Sequence, residues 1–166
     1  MAEAKWEGKA SVEIAGLAVD QVWPCLEDYC NLHKWFPYLD KCDQVEGVPG
    51  KPGLVRHVSS TAKASPESDE MITRWANEKL LMIDANQKCF SYEVTDNNIG
   101  FNNYVATIKV FPINADDQQK GCIVEWSFVT DPVPGWKFEN LLSNFNYCLQ
   151  YMGKKMEQTF LSTMEP

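Results

Sequence analysis

Arginine is scarce in this chain. Of fifteen basic residues only two are arginines, Arg56 in the stretch GLVRHV and Arg74; the rest are lysine. A guanidinium suits a site where its planar fork can hold a carboxylate and a ligand oxygen at once. On alternating parity Leu54, Arg56 and Val58 share one face of a strand, and Ile72, Arg74, Ala76 and Glu78 share one face of another. Tyr104 aligns in the same way with Ala106 and Ile108, and Trp126 and Phe128 align with Cys122 and Val124. Charged, phenolic and indole groups therefore fall on faces that are otherwise apolar. The chemistry open to such a set is proton transfer: Glu78 as general base or shuttle, Arg56 as anchor for an oxyanion, Tyr104 as hydrogen-bond donor.

Each of these residues also has a plainer reading. Arg56 and Glu78 could form an inter-strand surface pair worth ~0–1 kcal/mol, and Tyr104 could be a core aromatic whose hydroxyl finds a backbone acceptor. Burial separates the two readings, since a charge facing an apolar cavity must pair or meet a polar ligand. The only histidines are His33 and His57. His57 has the opposite parity to Arg56, which puts it on the outer face, and neither histidine has a Cys or Ser partner in view for nucleophilic catalysis. Six cysteines lie scattered without a CxxC pair, and no ligands fall at zinc-like spacing, so no metal and no cofactor are expected.

The elements that must position these groups come in three blocks. Trp6 to Ile14 reads as an opening strand. Val19 to Tyr29 (VDQVWPCLEDY) follows as a helix kept short or bent by Pro24, and NLHKWFPY as a second short helix or turn stopped by Pro37. From Asp40 to Val129 strand compositions take over: Lys41 to Gly47, Leu54 to Ser60, Glu70 to Glu78, Leu80 to Asp84, Cys89 to Asp96, Tyr104 to Phe111 and Cys122 to Val129. The separators are turn-rich: VPGKPG, KASPESD, ANQK, DNNIG and NADDQQKG. The last block, Trp136 to Met164, carries an apolar stripe of helical spacing, with Gly153 as its weak point. The expected fold class is α+β, a curved antiparallel sheet of about seven strands wrapped around a long C-terminal helix. Two short helices close one end, and a cavity is left between helix and sheet.

At 166 residues one domain spanning 1–166 is the expectation. Fifteen basic against twenty-three acidic residues give a formal net charge of −8, which argues against nucleic acid or an anionic membrane as partner. No apolar run reaches the ~18 residues a membrane helix needs, and MAEAKWEGKA has no secretory h-region. The expected protein is cytoplasmic, with reduced thiols, and a monomer, with a homodimer as the alternative.

This order of elements resembles the helix-grip fold of the plant birch-pollen-allergen and START-related proteins, also called polyketide cyclase-like. More closely, KWEGK, NLHK with its following proline, VEG, GLVRHV, WANEKL, SYEVTD, YVATIKV and EWSF are similar, in the same order, to the lachrymatory factor synthase group, plant enzymes that rearrange a small sulfenic acid to a thial S-oxide. The resemblance runs from about Lys5 to Glu157. It implies an essential arginine at Arg56, an essential glutamate at Glu78, a substrate-contacting tyrosine at Tyr104 and aromatic walls at Tyr92 and Trp126. It also marks two departures: Arg74 and Cys148 stand where that group has aromatic residues. A more distant similarity to abscisic acid receptors lacks their SGLPA-type gate and HRL-type latch. Two functions stay open at this point. One is a carrier or sensor for a small hydrophobic ligand held by Arg74, Tyr92, Trp126, Phe128 and Cys148. The other is an isomerase or cyclase using Arg56, Glu78 and Tyr104.

Overall fold

The computed structural model describes residues 4–36, 39–63 and 67–164, and the side chains of all of these except 117–119 and 162–164. Strand β1 (Trp6–Ile14) alternates as expected, with Ala10, Val12 and Ile14 buried and Ser11 and Glu13 exposed. Helix α1 (Val19–Glu27) buries Val19, Val22, Trp23 and Leu26. It starts where the Gln21 side chain accepts the Ala18 N–H at 2.9 Å, and Pro24 lies inside it, in keeping with its nine residues. The second short element is a 3-10 segment, Tyr29–Lys34. The stop expected at Pro37 lies outside the described residues.

Strands β2 (Lys41–Glu46), β3 (Val55–Lys63), β4 (Met71–Asp84), β5 (Cys89–Asn97), β6 (Val105–Asn114) and β7 (Asp117–Thr130) complete one seven-stranded sheet. Its order is β1-β7-β6-β5-β4-β3-β2 and its pairings are antiparallel. Two expectations are corrected. The break placed between Glu78 and Leu80 is no break: β4 runs through it, and the register slips against β5 between Leu80 and Met82. The stretch NADDQQKG is mostly strand, because β6 and β7 continue until Asn114 faces Asp117. Its turn is held where Asn114 Oδ1 accepts the Asp116 N–H at 3.0 Å. A second slip, between Asn77 and Glu78, skips Thr95 on the β5 side, so one irregularity falls on each strand of this pair near the candidate residues; bulges of this kind bend a strand and sharpen its twist.

Helix α2 (Phe138–Met164) lies against the inward face of the sheet. Leu141, Phe145, Leu149, Met152 and Met156 recur at helical spacing and are all buried, each contributing ~1.5–3 kcal/mol of apolar burial. The weak point expected at Gly153 has a packing use. A Cβ there would stand 3.3 Å from Val12 and Ile14, so a bare backbone lets α2 approach β1. This is the helix-grip arrangement. No helix among the described residues is long and apolar enough to cross a membrane.

Candidate functional site

Between α2 and the sheet lies a cavity of about 200 Å³. Its walls are Phe90 and Tyr92 from β5, Ile108 from β6, Val124 and Trp126 from β7, and Cys148, Leu149 and Met152 from α2. Leu26 and Leu32 close one end. Arg56, Val58 and Ser60 line it from β3, as their common parity requires, and Glu78 joins them from β4.

Register brings the two charges together: Arg56 faces Glu78 directly across the β3–β4 pair. The Arg56 Nε–H donates to Glu78 Oε1 at 2.8 Å, and Nη1–H donates to the Tyr29 carbonyl at 2.9 Å. The guanidinium carbon stands 3.8 Å from the centre of the Tyr29 ring, close enough for a cation–π contact. Tyr29 is clamped in turn, its hydroxyl donating to the Glu78 backbone carbonyl at 3.0 Å. Arg56 is only 2 % exposed. Burial opposes its charge, but the oxygens of Tyr29 and Glu78 more than offset that and hold the guanidinium protonated more firmly than usual. Glu78 is less enclosed, its side chain 13 % exposed against 3 % for that of Arg56. Among the described residues its Oε2 accepts no hydrogen bond, and Glu78 lines the cavity.

A second polar group stands behind this pair. The hydroxyls of Tyr92 and Tyr104 lie 3.0 Å apart, and burial pushes both phenols well above their usual titration range. Tyr92 lines the cavity, and its ring centre is 5.2 Å from the Arg56 guanidinium. Tyr104 is 2 % exposed and reaches the cavity only through Tyr92. Phe128 is core rather than wall: it is buried, stacks on Tyr104 and meets Phe145 edge-on. Trp126 is wall, stacked on Phe145 at 4.0 Å. Cys148 is also wall, and burial pushes its thiol up to about 11, which keeps it neutral. Arg74 is half-buried opposite Ser60 and does not line the cavity.

Sequence reasoning missed Tyr29. The residue marks the end of the α1 stripe, yet its part depends on a carbonyl meeting a side chain 27 positions away, which leaves no local signal. Phe90, Phe145 and Leu149 were likewise hidden among ordinary core residues. Among the described residues no group of His, Cys, Asp or Glu could hold a metal ion.

A long helix gripped by an antiparallel sheet, over a largely apolar cavity lined by an arginine–glutamate pair, is the kind of concave site in which small-molecule pockets occur. The chain belongs to the family described as polyketide cyclase / dehydrase and lipid transport, which matches residues 5–146. Solved structures share the fold. XoxI from Bacillus cereus is 24% identical over 100% of both chains, with a TM-score of 0.69. An uncharacterized Bacillus thuringiensis protein is 23% identical over 94% of this chain and 99% of its own, with a TM-score of 0.68. A Thermobifida fusca protein is 22% identical over 92% and 93%, again at 0.68.

Proposed function

We propose that this protein binds a small, largely apolar molecule bearing a polar oxygen, with that oxygen directed at Arg56. The observation that carries the reading is a buried guanidinium fixed by Glu78 and Tyr29 on the wall of a largely apolar cavity. Only two acceptors engage it among the described residues, which leaves N–H groups for a ligand. Size narrows the class. An apolar cavity of about 150 Å³ holds benzene, so about 200 Å³ suits a molecule only slightly larger, and a sterol or long acyl chain is too big without rearrangement. Family membership supports a hydrophobic ligand.

The test is calorimetric titration with cyclic ketones of increasing ring size. Cyclohexanone should bind saturably at about 0.1 mM, roughly −5.5 kcal/mol, with affinity collapsing once the ring outgrows the cavity. Absence of saturable binding across the series would remove the reading.

A second reading is favoured by the open Oε2 of Glu78 beside the anchored guanidinium, and by the resemblance to lachrymatory factor synthases. Here Glu78 is the proton shuttle of an isomerase and Arg56 the oxyanion anchor, the proton transfer contributing about 10²–10⁴ in rate. Tyr104 would act through Tyr92. Turnover of a small sulfenic acid by the wild type and not by Glu78→Gln would establish it; equal, uncatalysed rates would leave binding alone.

A further inference from the structure

The cavity reaches solvent where Ser60 of β3 and Asn144 of α2 line it, for Asn144 is an exposed residue and Ser60 a half-buried one. Neither side chain makes a hydrogen bond among the described residues. The second arginine stands at the same place. Arg74 is the direct β3–β4 partner of Ser60, and residues opposite one another in an antiparallel pair project to the same face. On β4 that face carries Ala76, which is buried, and Glu78, which lines the cavity, so it is the inner one. The β3–β4 pairing is continuous from Val55 to Lys63, and no bulge reverses the parity between Glu78 and Arg74. Arg74 is half-buried and makes no hydrogen bond or ion pair among the described residues. The carboxylate of Asp40, beside this end of β3, accepts the Thr61 N–H at 2.7 Å instead of pairing with it.

Resting on the ligand-binding reading above, we infer that Arg74, with Ser60 and Asn144, receives a carboxylate at the cavity mouth, so that the ligand is a small apolar acid with a neutral oxygen at its inner end. The two arginines are not equivalent. Arg56 already holds the Glu78 carboxylate at 2.8 Å, and a second anion beside it would meet that charge, so the inner position takes a carbonyl-type oxygen. Arg74 has no such countercharge among the described residues, and a guanidinium, a hydroxyl and an amide are all donors to a carboxylate. The backbones of the two arginines stand ~13 Å apart along the strands, too far for one oxygen to serve both. At the mouth an anion also keeps part of its hydration and escapes the full cost of burial. A chain of formal net charge −8 repels anions in general, which makes one uncompensated inward cation selective for where an acid can sit.

The experiment compares 4-oxocyclohexanecarboxylate with 4-oxocyclohexanecarboxamide at neutral pH, a pair of one shape that differs in charge. The wild type should bind the acid about tenfold more tightly than the amide, and added salt should weaken the acid alone. Both probes should move the Arg56 Nε–H resonance, whereas only the acid should move that of Arg74. Arg74→Gln should weaken the acid about tenfold and the amide less than about twofold. Equal affinities for the two probes, equal losses on Arg74→Gln, or an acid that moves Arg56 and leaves Arg74 in place would overturn this inference. Saturable binding of cyclohexanone would then still uphold the cavity's binding function, and failure of cyclohexanone and both probes would overturn the two together. The wild-type affinities and resonances decide the matter even if the variant folds poorly.

Discussion

Removing Arg56 should cost more than removing Arg56 and the Glu78 charge together. Arg56→Leu deletes the Nε–Oε1 bond at 2.8 Å, the Nη1 bond to the Tyr29 carbonyl at 2.9 Å and the contact with the Tyr29 ring. It leaves a carboxylate facing an apolar cavity. Breaking a buried pair this way costs about 3–5 kcal/mol; because Glu78 is 13 % exposed, the lower part of that range, about 3 kcal/mol, is expected. Glu78→Gln keeps an acceptor for Nε but strips the countercharge from a guanidinium that is 2 % exposed, at about 2–3 kcal/mol. With both changes no charge remains. What is lost is about two neutral hydrogen bonds, ~2 kcal/mol. The coupling between the sites is then at least about 2 kcal/mol. Urea unfolding of the four proteins measures it, and a chain of this size should show the single variants melting about 4–12 °C low. Additivity within about 0.5 kcal/mol would refute the buried-pair geometry.

Three further outcomes follow from the same structure. Burial holds the phenols of Tyr29, Tyr92 and Tyr104 above their usual value of 10.0, Cys148 up to about 11 and Cys122 up to about 12 from 9.0. The folded state keeps protons that the unfolded chain releases, so this stabilisation is complete below pH 9 and lost as pH rises from there; a urea midpoint that held or rose between pH 9 and pH 11 would contradict it. Tyr92→Phe leaves the Tyr104 hydroxyl without its partner and should cost about 1–2 kcal/mol, with little added by Tyr104→Phe on top, as thermal melts of the three variants would reveal. Cys148→Phe should fill the cavity, abolishing ketone binding in calorimetry while leaving the melting temperature within a few degrees; undiminished binding would show that Cys148 is not wall.

The shared face of Arg56 and Val58 on one strand and of Ala76 and Glu78 on the next was legible because strand parity is strict and arginine is rare here. The helix from Phe138 was legible from its long apolar spacing. What escaped had physical causes. One strand was read as two at Lys79, although Ala76, Glu78 and Leu80 keep one parity through it and the slip that resets parity comes only at Leu81. The residues of NADDQQKG favour turns, yet pairing between β6 and β7 overrode that preference. Tyr29 could not be found because backbone carbonyls carry no sequence signature. The size of the cavity was hidden as well, since it depends on how Phe145, Trp126 and Met152 fill the space rather than on which faces are apolar.

The arginine scarcity that marked the site also supplies its most direct test. A ¹H–¹⁵N spectrum of the arginine side chains contains two Nε–H signals, Arg56 and Arg74, and only Arg56 lines the cavity. Titration with 4-methylenecyclohexanone should shift the Arg56 signal saturably, along one binding curve with the calorimetry, and leave Arg74 in place. Saturable binding that leaves Arg56 unmoved, or moves Arg74 instead, would contradict the claim that this guanidinium receives the ligand.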